Sequence, residues 1–150
     1  MKFIHQRGTG TTLPQLVDEQ ENILSRLEMF KMNMWFSGIQ IPIGGIAAVY
    51  THPNFRNRGY ARKCFEHALR LQQKESLCLS LLFGNPDFYK KFGYIPIMPW
   101  YGIYVYHTSW KTLPPEPTML DYSPGDDQAI LRLYTQNSKS QVGPIVRDFQ

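Results

Sequence analysis

Apolar and polar positions recur at two different periods along this chain, and the change of period divides it into elements. Residues 1–12 are mostly polar and carry Gly8 and Gly10, a pattern that predicts a frayed end. Leu13 to Val17 predicts a short strand, and the acids and amides from Asp18 to Asn22 predict a turn. From Ile23 to Phe36 the apolar residues at 27, 29, 30, 32, 34, 35 and 36 partly alternate with polar ones, as on a strand buried along one face. Ser37-Gly38 marks a hairpin. The returning run, Ile39 to Tyr50, is interrupted by Pro42 and by Gly44-Gly45, which points to a bulge or to another group closely approaching the backbone.

Beyond the loop from Thr51 to Arg58 the period lengthens. Ala61, Cys64, Phe65, Ala68 and Leu69 fall on one stripe of a helix, predicted from about Gly59 to Lys74. Ser76 to Phe83 is almost wholly apolar, the pattern of a strand covered on both faces. Strand, helix and strand in this order predict a right-handed crossover between parallel strands, and hence an α/β fold. In Gly84-Asn85-Pro86-Asp87, Asn85 can cap a helix, Pro86 suits its first position and Asp87 suits its positive end. That helix should be short, Pro86 to Phe92, with Gly93 as its left-handed stop. Tyr94 to Tyr106 predicts one or two further strands, Pro114-Pro115-Glu116-Pro117 a stiff linker, and Asp126 to Tyr134 a last helix.

Composition narrows the function classes. One compact domain is expected from 150 residues that are 43% hydrophobic and 19% charged, which sets aside disordered, collagen-like and coiled-coil chains. Cys64 and Cys78 are too few for a disulfide scaffold, and no Cys or His cluster has metal-ligand spacing, so no metal is expected. The amino end has no apolar stretch of signal or membrane-span length. Reduced thiols and a cytoplasmic protein without a membrane partner are the expectation.

The net charge of +4 is concentrated. Between Arg56 and Lys91 eight bases face three acids, and the rest of the chain is close to neutral. A basic segment of this kind is either a solvated face or the site of an anion. The segment Arg56-Asn57-Arg58-Gly59-Tyr60-Ala61 stands between a strand and a helix, where backbone N–H groups and the helix dipole are free, and Gly59 admits an anion to the main chain. It has the chemistry of a diphosphate cradle. The Gly8-Thr9-Gly10 stretch lacks the third glycine of a dinucleotide fingerprint, and no P-loop or Gly-x-Ser-x-Gly elbow occurs. The bases lack regularly interleaved aromatics, so nucleic acid is not the expected partner.

With these features in place, the stretch from Gly44 to Ala61 (GGIAAVYTHPNFRNRGYA) resembles the cofactor-binding segment of the GNAT N-acetyltransferases. Phe83 to Tyr94 (FGNPDFYKKFGY) resembles the partner segment that follows it, and narrows the resemblance to the Eis-type branch; together the two cover roughly residues 24 to 98. The resemblance implies the GNAT acyl-CoA N-acyltransferase fold, a mixed central sheet flanked by helices. It implies acetyl-CoA as co-substrate and transfer of its acetyl group to a primary amine on a small molecule or protein, by direct attack in a ternary complex. A CoA-binding or assembly module without turnover is the alternative.

The resemblance also implies residue roles. Val49, Tyr50 and Thr51 would pair their backbone with the amide-rich pantetheine arm. Backbone groups of Asn57, Arg58, Gly59, Tyr60, Ala61 and Arg62 would hold the diphosphate, with Arg56, Arg58 and Arg62 adding charge. Asn85 would lie beside the thioester, and Tyr89 would protonate the departing thiolate. A thiol has a pKa of about 8.5 and tyrosine about 10, so full transfer is uphill unless the site lowers the tyrosine's pKa, although a hydrogen bond to the sulfur still helps. In Eis-type enzymes the general base is the carboxylate at the end of a longer chain with a second GNAT-like domain and a sterol-carrier-like domain, and the enzymes assemble as multimers. On that basis residues 1–112 are expected to form the acetyl-CoA-binding domain, and residues 113–150 a linker and the start of the second domain. The chain would then be an incomplete amino-terminal portion, lacking the strand and helices that usually precede Leu13, and a homo-oligomer is one expected assembly.

Overall fold

The computed structural model describes residues 1–97 and 120–148. Four strands, β1 (Lys2–Gly8), β2 (Thr11–Val17), β3 (Ile23–Phe36) and β4 (Ile39–Thr51), follow one another as antiparallel hairpins. Helix α1 (Tyr60–Lys74) then crosses to β5 (Leu79–Leu82), which lies parallel to β4 as the strand–helix–strand pattern predicts. The short α2 (Pro86–Tyr89) follows, and α3 (Asp127–Ser138) and β6 (Val142–Ile145) close the described chain. β6 pairs with the far half of β3, so the described strands form one mixed sheet with order β1-β2-β3-β4-β5 and β6 against β3.

Local chemistry explains the hairpins. The Asp18 carboxylate accepts the backbone N–H groups of Gln20 and Asn22 at 2.9 and 2.8 Å and fixes the β2–β3 turn. Ser37 and Gly38 both have positive φ, the two-residue geometry whose twist matches the strands it joins. The core lies between α1 and one face of the sheet, where Leu27, Met29 and Ile46 pack against Cys64, Phe65 and Ala68. Because side chains alternate along a strand, Arg26 and Glu28 point away from α1.

Several expectations need correction. Residues 1–12 are not frayed: Lys2 to Gly8 pairs residue for residue with Val17 to Thr11, and β2 begins at Thr11 rather than Leu13. A strand therefore does precede Leu13. β1 is held by its partners more than by its own apolarity, since Phe3 stacks on His67 of α1 (centroids 3.9 Å apart, 6° between planes) and His5 Nε2 lies 2.8 Å from His67 Nε2. The bulge is not at Gly44-Gly45. It falls at Ala48, whose φ is +48°, where the β3–β4 register slips between Arg26–Tyr50 and Glu28–Ala47. The glycines meet the other expectation, a close approach to the backbone: any side chain at Gly44 would overlap Gln72 of α1, and one at Gly45 would press on Met32.

β5 is also shorter and less covered than its apolarity suggests. Ser76, with φ of +57°, still belongs to the turn out of α1, Leu79 is 42% exposed and Phe83 is 93% exposed. The expected helix from Pro86 to Phe92 is an α-turn to Tyr89 continued by a 3-10 turn, Lys90–Phe92, and Gly93 stops it in the left-handed region. α3 starts one residue after Asp126 and runs on past Tyr134 to Ser138. Tyr94 to Ile97 form no strand; the rest of the expected strand region and the proline-rich linker lie outside the described residues. No helix among the described residues is long and apolar enough to cross a membrane. Cys64 and Cys78 are free, the first buried and the second exposed.

Candidate active site

Strand β5 accompanies β4 only from Ile43 to Ile46. Past that point β5 ends at Leu82 and the chain turns into α2, while β4 runs on through the Ala48 bulge to Thr51. Among the described residues, the β4 backbone from Ala47 to Thr51 therefore has no strand beside it on this side. An extended edge of unpaired N–H and C=O groups is a template for another extended, amide-bearing chain. Val49 packs its side chain into the core, whereas Tyr50 turns its ring to the opposite face, beneath the Arg26 guanidinium at 5.6 Å from the ring centroid. Only the backbone of Tyr50 belongs to the edge.

The edge leads into a turn rich in free main-chain donors and arginines. His52 Nδ1 accepts the Asn54 N–H at 3.3 Å and starts a single 3-10 turn, Pro53–Phe55. Arg56 Nε donates to the Thr51 carbonyl at 3.5 Å, which ties the loop back to the strand end. Asn57 and Gly59 both have positive φ, +61° and +77°, so the main chain folds back on itself around Arg58. Gly59 is the N-cap of α1 and no side chain caps that helix, nor is there an acid in its first turn. The first N–H groups, from Tyr60, Ala61 and Arg62, are thus left to an external acceptor, at the positive end of a four-turn helix. Arg56, Asn57, Arg58, Gly59 and Arg62 are all exposed. The Arg58 guanidinium rests 5.6 Å from the Phe55 ring centroid.

The third wall follows β5. Asn85 caps α2 by accepting the Asp87 N–H at 3.0 Å, which spends its oxygen and leaves its exposed amide group outward. Tyr89 ends α2 and packs on Phe65 of α1 (centroids 5.5 Å apart) and on Tyr94. A side chain at Gly84 would overlap the Tyr89 ring, so glycine there lets the ring lie across the chain. Burial pushes the Tyr89 phenol above its ordinary pKa of 10.0. That is opposite to the lowering that full proton transfer to a thiolate would need.

Strand end, turn and first turn of α1 are therefore contiguous, and Tyr89 shares with Val49 the apolar cluster beneath them. Asn85 stands at the same end of the sheet because β5 is parallel to β4. Two features escaped the sequence reading. The bulge at Ala48 leaves no mark in a run of small apolar residues. Glu28, opposite Ala47 on β3, reads only as one polar position of a half-buried strand.

Comparison with known proteins bears on the whole arrangement. A structure of a conserved protein of unknown function from Enterococcus faecalis, described as a probable N-acyltransferase, is similar at a TM-score of 0.71 and 21% identity. The likeness covers 93% of this chain and 36% of that one, so this chain spans just over a third of that protein's length. Glucosamine-6-phosphate N-acetyltransferase from Arabidopsis thaliana is similar at a TM-score of 0.56 and 16% identity, over 65% of this chain and 68% of that one. A Trypanosoma brucei acetyltransferase matches at 0.56 and 14%, over 64% and 70%. No curated protein matches the chain. The family model for the acetyltransferase (GNAT) domain matches residues 15–97, which include the open β4 edge, the turn, α1, Asn85 and Tyr89, and so the chain belongs to the GNAT acetyltransferase domain family.

Proposed function

We propose that this protein is an acetyl-CoA-dependent N-acetyltransferase that moves an acetyl group to a primary amine by direct attack in a ternary complex. The observation that carries the reading is the open β4 edge from Ala47 to Thr51 running into an uncapped helix start inside a cluster of arginines. Acetyl-CoA supplies an acetyl group activated as a thioester. The residues present fit it: Val49, Tyr50 and Thr51 offer backbone groups to an amide-bearing arm, and the N–H groups of Asn57 to Arg62 suit a diphosphate. Arg56, Arg58 and Arg62 add charge there, and Asn85 offers its amide at the apex where β4 and β5 part. Tyr89 keeps its proton and donates a hydrogen bond to the sulfur as the C–S bond weakens. Transfer of the proton outright would cost about 2 kcal/mol even at ordinary pKa values, and burial adds to that.

Calorimetry with acetyl-CoA tests this reading. The chain should bind it, and replacing Arg56 and Arg58 by Ala should weaken binding and flatten its salt dependence, because charge pairs with phosphate are screened. A folded chain that gives no heat with acetyl-CoA removes the proposal.

A second reading is favoured by the Enterococcus faecalis likeness, which covers most of this chain and a minor part of that one. Residues 1–112 would be the acetyl-CoA-binding domain and residues 113–150 a linker and the start of a second GNAT-like domain, in an Eis-type enzyme that extends further. In that case the isolated chain is a CoA-binding module. A thiol-release assay beside the calorimetry separates the two, since a module binds acetyl-CoA without releasing thiol.

A further inference from the structure

The acceptor amine is the open question, and the side of the sheet away from α1 bears on it. Resting on the acetyltransferase reading, the donor occupies the α1 side: its diphosphate at the helix start, its arm along Ala47 to Thr51, its thioester at the apex beyond the last β4–β5 pair, Ile46–Leu82. An amine must then reach the carbonyl carbon from the other face. Two charged side chains stand on that face within one strand repeat of each other. Glu28 is half-buried and lies directly across from Ala47, beside the Ala48 bulge. Arg26, two residues earlier and about 7 Å along β3, lies across from Tyr50 and rests on its ring. Neither belongs to an ion pair among the described residues, where the pairs are Lys2–Glu21 and Lys31–Glu75.

Beside Arg26 the surface forms an open concavity of about 660 Å³, lined by Ile23, Arg26, Tyr50, His52 and Asn54 among others, with Glu28 outside it. Its one acid, Glu21, is held by Lys2 at 2.6 Å. The concavity therefore offers a guanidinium and side-chain amide and imidazole groups, with its negative charge already paired. A carboxylate at the bulge and a guanidinium one step away suit a ligand with both signs of charge.

We propose that the acceptor is a small zwitterion, an amine joined by a short spacer to a carboxylate or phosphate, with the anionic group on Arg26 and the amine at Glu28. The ammonium first gives one proton to solvent. The neutral nitrogen then bonds to the acetyl carbon, the C–S bond breaks, and the second nitrogen proton passes to the Glu28 carboxylate. The sulfur leaves with its electron pair, steadied by the Tyr89 hydroxyl, and takes a proton from solvent to which Glu28 returns its own. The sum is one amide and one thiol from one thioester and one ammonium, with one proton released.

The test measures thiol release and calorimetric binding with two matched pairs of amines: β-alanine against its methyl ester, and O-phosphoethanolamine against ethanolamine. The anionic member of at least one pair should be preferred about tenfold or more in kcat/KM or in affinity, and the pair that shows it tells carboxylate from phosphate. Arg26→Gln should bring that preference close to one, and Arg26→Lys should restore part of it. Glu28→Gln should lower kcat about 10²-fold while acetyl-CoA binding stays intact. Should the chain release no thiol, anion-selective binding that Arg26→Gln abolishes still supports the site. Equal use or equal binding of the charged and uncharged members, in a chain that binds acetyl-CoA, overturns this proposal alone. Loss of acetyl-CoA binding by the unaltered chain overturns the acetyltransferase reading, and this proposal with it.

Discussion

Tyr89 shows how little of a side chain's role is carried by its identity. Its ring is wedged over Gly84 against Phe65, and the burial that fixes its position also holds its proton more firmly. A hydrogen-bond donor of this kind should matter moderately: Tyr89→Phe should lower kcat about 10²-fold and leave acetyl-CoA affinity nearly unchanged. Gly84→Ala places a methyl group where the ring now lies, so it should displace the hydroxyl and approach the same loss. Steady-state kinetics on the two variants and their combination check this, since a combined loss no greater than the larger single loss means both act through one hydroxyl. The Asn85 cap and the Gly59 turn were legible in the sequence because caps and left-handed turns restrict residue type locally, whereas Tyr89 stood out only through the family resemblance. Ala48 was not. Its φ of +48° results from two strands slipping register against each other, and alanine carries no signature of that.

The elements divide in the same way. The β3–β4 hairpin and α1 could be read because their apolar stripes coincide with their buried faces. β1 could not, since all seven of its residues are paired in a register set on β2, and the strand is further held by a ring-on-ring contact with α1 that no local pattern announces. That contact is sensitive to acid. Partial burial, then the nearby His5, Arg70 and Lys74, hold the His67 pKa below its ordinary 6.5. The unfolded chain therefore takes up a proton at a pH where folded His67 does not, so this contribution is complete above about pH 6.5 and is lost as pH falls further. Hydrogen-exchange protection over Lys2 to Gly8, corrected for the pH dependence of intrinsic amide exchange, should fall between about pH 7 and pH 5, and His67→Gln should remove most of that fall. Corrected protection in β1 that is no weaker at the lower pH contradicts this.

Across the whole molecule the same linkage runs in the alkaline direction through Cys64. Its thiol is buried between β2, β3 and α1, with Sγ 3.4 Å from the Pro14 carbonyl, and burial pushes its pKa from 9.0 to about 11. An unfolded chain ionises this thiol from about pH 9 while the folded one does not. The Cys64 contribution should be flat below about pH 9 and cost about 2–3 kcal/mol by pH 11, with the half-buried phenols of Tyr89 and Tyr94 adding to the loss at the upper end. Urea unfolding at about pH 8 and about pH 10.5 measures it, and Cys64→Ala should shrink the difference. The α/β class and the strand–helix–strand heart were legible for this molecule because they follow from the order of periods along the chain. The place of β6 was not, because its partner is fixed by distance in space rather than by neighbours in sequence.

That last pairing has a consequence for assembly of the chain. The outer half of β3 is bordered by β4 on one side and by β6 on the other, so its second row of main-chain partners arrives only after α3 has been made. Hairpins made of neighbouring residues can form early, but this seam must wait for the long loop from Phe36 to Val142 to close. Until then Met34 and Phe36 present an unprotected sticky border to the surroundings, which makes the interval before β6 arrives the time when nascent copies are most prone to join one another.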